Sequence, residues 1–567
     1  MKEVLNKRRL GIVLSILLSL GSFMIVYYAL GCSYVINDDR YMAEIISGCI
    51  TGEPNSHAVF IHYFLGLVLS TLYSVTTKIP WYGLFLALCM ITSFIVIFYG
   101  IIRTCKKLIH YFYSVLCCCI IMACCFYFFA CFQFTAISGI LGVAGYFWLL
   151  IGKREKKDMV IFIVLETMSY FVRYESMLFV QPIGLVTCAA LFFAENREFP
   201  IRNKITVFLR EMLKLVGIVA AIVGIAWSTN AIGYDTEEWR EYLKYNVARS
   251  YIEDYCTGYS HDVIADVLNE YDISEEQFDL AFKMHWCVGN HLRKEGVISA
   301  VEVLKENSSS DVDLRELIYR TLTFGKYDDI KGFYVYNYLL YLVVILAVAL
   351  QKKWGYLVPI FAVYSARFIL LFYLIYKERY PFRVTSVLFF SEMILLCVVL
   401  LKNILTFEKT LWKRCVVIAV GTMCSLICLY TSKAVWQEVK ELNSVNAAYS
   451  EDMYQLIEYL ADMPGGCIID ISSMMNFPGE VFDSKWYEHK DILISGGWFS
   501  NTPFMMEYEQ DYFERYGNDL SIVSSAQGEK QEYFCSLVEA ALGVSLESVG
   551  GFVTENEEEF IVYRIAK

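Results

Sequence analysis

The chain has 567 residues, of which 57% are hydrophobic and 16% aromatic, and its mean hydropathy is +0.45. That composition excludes an ordinary water-soluble globular protein and makes a lipid bilayer its main solvent. The net charge of −12 hides a segregation, with acids gathered in two polar regions and lysines and arginines in short connectors. No basic domain is offered to a nucleic acid, and the placement of the basic connectors sets the membrane topology.

Leu10–Gly31 follows Lys7, Arg8 and Arg9 and reads as a retained first span, with the N-terminus cytoplasmic and Cys32 outside. Ala58–Thr76 is apolar. If it crossed, however, Arg103, Lys106 and Lys107 would fall outside. Residues 32–80 are therefore expected to form one outer loop carrying two interface-lying helices. Spans follow at Trp81–Ile102, Ile109–Cys131 and Phe134–Ile151, the last ending at the basic connector Lys153, Arg154, Lys156 and Lys157.

Met159–Phe171 and Met177–Phe193 read as a helical hairpin with Arg173, Tyr174 and Glu175 at its outer tip and Pro182 in its second arm. Leu215–Asn230 is the next span, followed by an outer loop over residues 233–332. Tyr334–Leu350, Trp354–Tyr376, Val384–Leu401 and Cys415–Thr431 complete a helical domain, residues 1–431, of roughly eleven spans. Residues 432–567 are read as a small extracytoplasmic α/β domain. A helix is expected over Asn443–Ala461, and strands at Cys467–Ile471, Ile492–Ile494 and Phe560–Tyr563. The fold class is thus an all-α polytopic membrane domain with a C-terminal α/β module.

Most of the nineteen cysteines, such as Cys117, Cys118, Cys119, Cys124, Cys125 and Cys131, lie in apolar runs and act as small hydrophobes. Cys256 with Cys287, or Cys467 with Cys535, would be the pairs open to bridging on an oxidising side.

The sharpest local feature is Asn37-Asp38-Asp39-Arg40-Tyr41, just beyond the first span. Met42, Ile45, Ile46 and Cys49 give the helix it opens an apolar face suited to the lipid interface. Asn37 suits an N-cap, and acids suit a first helical turn. The same acids suit a general base for an acceptor hydroxyl, or a cation held against a phosphate; the spacing does not separate these roles, and no ion is assigned. Lys377, Glu378, Arg379, Tyr380, Pro381 and Arg383 form a basic cluster on the side where topology disfavours it, which a lipid phosphate would explain. Arg173 and Glu175 are either a structural ion pair or part of the same cavity. His57 and His62 flank the second interfacial helix, while Trp239, Tyr242, Tyr245, Asn246, Trp486 and Trp498 are candidates to stack on sugar rings.

In this order, the features resemble the polytopic glycosyltransferases of the GT-C fold, which include protein O-mannosyltransferases and bacterial aminoarabinose transferases. Asp38-Asp39-Arg40-Tyr41 is similar to the Asp-Glu-x-Arg-Tyr element of that family, with Asp as the second acid and no spacer before Arg40. The resemblance implies sugar transfer at the outer face from a polyprenyl-phosphate donor to a glycan, lipid or protein acceptor. The donor phosphate would lie near Arg379, Arg383 and Lys377, and the sugar near Asp38 and Asp39. The rival classes are a multi-pass transporter or flippase, for which paired repeats are expected and none is seen, and a non-enzymatic cell-envelope assembly protein.

Overall fold

The computed structural model describes residues 2–105, 108–196, 201–255, 259–275, 278, 294–307, 313–327, 332–404, 411–470, 479–485, 492–526 and 529–566. Lys106, Lys107, Trp486 and the proposed pair Cys256 with Cys287 lie outside these residues; Cys467 and Cys535 are not joined in a disulfide.

The membrane region is built from α1 (Lys2–Leu30), β1 (Ser33–Tyr34), α2 (Asn37–Ser47), α3 (Tyr63–Val75), α4 (Trp81–Ile102), α5 (Leu108–Cys125), α6 (Tyr127–Ala130) and β2 (Cys131–Phe132). It continues with α7 (Phe134–Ile151), α8 (Lys156–Val172), α9 (Tyr174–Glu195) and α10 (Ile201–Gly233). The described part of the polar loop contributes α11 (Glu237–Tyr255), α12 (His261–Glu270), α13 (Lys294–Asn307) and α14 (Leu314–Tyr327). Then come α15 (Phe333–Gln351), α16 (Leu357–Tyr376), α17 (Phe382–Ile404) and α18 (Leu411–Ala461).

Nine helices among the described residues are long and apolar enough to cross a membrane. The difference from the expected eleven lies in α5 and α8. The α5 helix stops at Cys125 because the chain turns through α6 and gives Cys131 and Phe132 to a strand, while α8 has only 17 residues and carries Lys156, Lys157, Asp158 and Glu166.

At the centre stands α7, 94% buried, packed by α4, α8, α9 and α17. Its small residues let those neighbours approach: a Cβ on Gly139 would lie 2.3 Å from Val387 Cγ1, and one on Gly145 3.0 Å from Glu166 Oε1. On α1 and α10, by contrast, only 22% of the apolar stretch is buried, leaving broad faces for lipid.

Two expectations fail. The helix α2 does not lie on the lipid interface: Asp39 through Ser47 are buried, packed by α3 and, at Arg40 and Tyr41, by Gly479 and Phe499 of the C-terminal domain. Nor does a break separate the last span from the helix at Asn443–Ala461. The 51 residues of α18 form one rod, about 77 Å long at the α-helical rise, which carries the C-terminal domain.

That domain holds β3 (Gly466–Asp470), β4 (Ile492–Ser495), α19 (Pro503–Tyr516), β5 (Leu520–Ser525), α20 (Glu529–Leu542), β6 (Leu546–Val553) and β7 (Glu559–Ile565). Its mixed sheet has the order β4-β3-β5-β7-β6, with β3 parallel to β4 and β5 and the remaining pairs antiparallel.

Backbone pairing joins the two regions. β1 pairs in parallel with β2, and on its other side Tyr34 N–H donates to Gly479 O (3.1 Å) while Val481 N–H donates to Cys32 O (3.1 Å). Asn443 of α18 accepts from Ser33 Oγ (2.7 Å) and donates to Leu30 O (3.0 Å). The seam depends on Gly83 of α4, where a Cβ would come within 2.1 Å of Val481 O. Gly83→Val is expected to cost about 1–3 kcal/mol by overpacking and to open the seam to limited proteolysis near residue 480. Gly21→Ala, with nothing within 4 Å of the added carbon, should melt like the wild type.

Candidate functional site

Gly31, at φ +73, turns the chain out of α1, and two strand residues later α2 begins. Ile36 rather than Asn37 takes the N-cap position, with no side-chain cap, so Asp38 and Asp39 sit in the first turn where the helix dipole favours negative charge.

The two acids have different surroundings. Asp38 is half-buried, whereas Asp39 is fully buried and accepts two hydrogen bonds on one oxygen: Tyr82 Oη–H donates to Oδ1 at 2.9 Å and Phe134 N–H at 3.2 Å. Its Oδ2 has no hydrogen-bond partner. Burial pushes the Asp39 carboxyl well above its ordinary value of 3.8. The Asp38 charge adds to that rise, while the Tyr82 and Phe134 donors and the Arg383 charge oppose it.

Arg383 therefore acts on Asp39 across a wide gap in sequence. It is half-buried at the start of α17, where the neighbouring Phe382 ring meets Tyr127 edge-on at 5.0 Å. Its companions diverge. Arg379 is half-buried in the turn after α16, following Glu378 at φ +52. Lys377 is exposed at the end of α16, its ammonium 5.5 Å from the Tyr376 ring centre. The connector is held from above, since Arg320 of α14 donates to Tyr380 Oη at 2.9 Å.

Arg173 is the single residue joining α8 to α9, as the hairpin pattern led one to expect. It pairs with Glu175 at 2.8 Å and lays its guanidinium over Phe60 (4.9 Å) and Phe134 (5.2 Å). The Phe134 amide is a donor to Asp39, so Arg173 borders the same cluster. Beside Asp39, Arg40 pairs with Glu44 at 2.9 Å, both buried, and Arg40 packs against Gly479 of the C-terminal domain.

The histidines brace loops. His62 caps α3, its Nδ1 accepting from Phe64 N–H (3.1 Å), while its Nε2 lies 2.9 Å from Ala226 O and its ring stacks on Phe171. His57 presents Nδ1 to Asn55 Oδ1 (3.0 Å) and Nε2 to Gly233 O (2.9 Å) and stacks on Trp239 at 4.7 Å. Burial pushes its pKa down, opposed by the Gly233 carbonyl. Between them Val59 is held at φ +57, a costly conformation for a β-branched residue, with its N–H donating to Tyr234 Oη at 3.1 Å.

Of the aromatic candidates, Trp498, Tyr242 and Tyr245 sit beside the cluster as packing and docking residues, and Phe499 joins them without having been singled out. Trp498 packs on Phe60 at 4.6 Å and Phe499 on Tyr41 at 4.9 Å, so the loop after β4 walls the acids. The Trp498 Nε1–H is buried without a partner. Tyr242 and Tyr245 dock this loop, through the Trp498 carbonyl (2.9 Å) and Asn501 (3.1 Å), and Asn246 accepts from Arg249. Deep in the bundle, Glu392 of α17 accepts from Tyr341 (2.8 Å), Arg367 (3.1 Å) and Asn337 (2.7 Å). Glu166 of α8 accepts from Gln181 (2.9 Å). A carboxylate inside an apolar run was the available signal for both. Among the described residues, no group of three or more His, Cys, Asp or Glu side chains is gathered to hold a metal ion.

A raised folded-state pKa means the native protein holds this proton more tightly than the unfolded chain does. The stabilisation is full below the ordinary carboxylate value and is lost as pH rises towards the raised one. Asp39→Asn, which keeps an acceptor for Tyr82 and Phe134, is expected to flatten that part of the melting profile and to match or exceed the wild type at pH 8. Asp39→Ala should lose about 1–3 kcal/mol at every pH, because it orphans two buried donors. Thermal unfolding between pH 4 and 8 measures both. No protein-family model matches the chain, and no curated protein is significantly similar to it.

Proposed function

We propose that the chain is a membrane glycosyltransferase of the GT-C type, moving a sugar from a polyprenyl-phosphate donor to an acceptor hydroxyl at the outer membrane face. The observation that carries this reading is an acidic pair at the exit of the first span whose inner member feels the charge of Arg383, from the connector between two late spans. In this reading Asp38, which is half-buried, is the general base and takes the acceptor proton as the hydroxyl oxygen attacks the anomeric carbon. The bond from that carbon to the phosphate oxygen breaks, and the phosphate leaves with the electron pair towards Arg383 and Arg379, whose planar forks suit it. Asp39, neutral, offers its Oδ2 proton to a substrate oxygen.

With purified protein in proteoliposomes and a labelled polyprenyl-phosphate hexose or pentose, release of polyprenyl phosphate is the readout. Asp38→Asn is expected to lower turnover about 100-fold or more, and Arg383→Ala to raise KM for the donor about tenfold, as loss of a charged hydrogen bond does. Full turnover by Asp38→Asn would remove the base from this assignment, and an unchanged KM in Arg383→Ala would remove the phosphate site.

A transporter is the second reading, favoured by Glu166 and by the Arg367–Glu392 pair, charges well inside the helix bundle. It differs in outcome: donor would cross the bilayer in the same vesicles without polyprenyl phosphate being released.

A further inference from the structure

A cavity of about 360 Å³ lies between α1, α5 and α18, away from the acidic cluster. Its walls are Ile25, Val26, Met122, Ala123, Phe126 and Trp436; Ser22, Ser432 and Lys433 are its polar lining residues. The helices around it face outward. Ile25 is 66% exposed and Tyr430, three residues before Lys433, is 81% exposed. An apolar recess on a lipid-facing surface forfeits dispersion contacts unless hydrocarbon fills it.

The polar residues set the height. The apolar stretch of α18 gives way at Ser432 and Lys433, so the exposed Lys433 stands at the polar boundary of the bilayer, with Trp436 a turn beyond and its ring 5.1 Å from Phe126. Among the described residues no carboxylate forms an ion pair with Lys433. An ammonium at headgroup height above an apolar recess is complementary to a phosphate with an attached acyl chain. Asp38, Asp39, Arg379 and Arg383 are not among the residues lining the cavity.

We propose that this groove is a binding site for one anionic phospholipid, its chain along Ile25, Met122 and Phe126 and its phosphate on Lys433. Native mass spectrometry tests it on the full-length protein purified from mixed micelles containing equal phosphatidylglycerol and phosphatidylcholine. One phosphatidylglycerol should be retained per chain, with Lys433→Ala reducing its retention about tenfold relative to phosphatidylcholine and Ala123→Phe, which fills the recess, removing both. Equal retention of the two lipids by the wild type, or undiminished phosphatidylglycerol retention by Lys433→Ala, would overturn the site. Displacement of phosphatidylglycerol by stoichiometric polyprenyl phosphate would overturn the assigned occupant.

Discussion

Everything at the domain-bearing end of the bundle depends on how the backbone leaving α1 satisfies its hydrogen bonds. Residues Cys32–Tyr34 are buried, and a buried peptide group without a partner is costly, so each must find one. They find it on both sides: Cys131–Phe132 along one edge and Gly479–Val481 along the other, with Asn443 reaching the end of α1 itself. The second edge belongs to the C-terminal domain, so that domain completes the fold where the first span ends. Gly479 is thereby pressed against Arg40, Phe499 reaches Tyr41, and α2 is enclosed by protein.

Much of the membrane architecture was legible because an apolar run long enough to span is a local property of the sequence. The spans at Trp81–Ile102 and Phe134–Ile151 are found at those bounds, and the α8–α9 hairpin turns at Arg173 as its charged tip indicated. The burial of α2 was not legible. Met42, Ile45 and Ile46 announce an apolar face, but periodicity says nothing of what covers it: α3 packs on the helix, and Gly479 and Phe499 lie against Arg40 and Tyr41. The continuity of α18 was missed for a different reason. Past Thr431 polarity rises while helix formers persist, in Lys433, Ala434, Glu438, Lys440 and Leu442, so a change of solvent resembled a change of structure. In the C-terminal domain β5 carries a weak strand signal because Leu520–Ser525 is half serine, although it runs buried through the middle of the sheet.

The interior carboxylates show why charge alone does not mark the site. Glu392 is fully buried, yet its oxygens accept from Tyr341, Arg367 and Asn337, drawn from α15 and α16, and the Arg367 guanidinium lies 4.6 Å from the Tyr364 ring centre. A carboxylate satisfied on both oxygens and paired with a cation ties three helices together. Removing one partner would be costly because the remainder stays buried and charged. Glu166 is less complete, with one oxygen bonded to Gln181 and the other unpartnered against the Gly145 backbone.

Asp39 resembles Glu166 in burial and differs in what its two oxygens meet. Its bonded oxygen fastens α2 to α4 through Tyr82 and to α7 through Phe134, so the helix cannot shift without breaking both contacts. Its other oxygen is left over, one residue from a half-buried acid, near an arginine, and beside an aromatic wall that holds a second unpartnered polar atom in Trp498. Unpaired buried polar atoms are rare because each costs about 1–3 kcal/mol. Asp39 Oδ2 and Trp498 Nε1 are two such atoms near the point where the two domains meet the end of the first span, a place where packing alone would have put carbon.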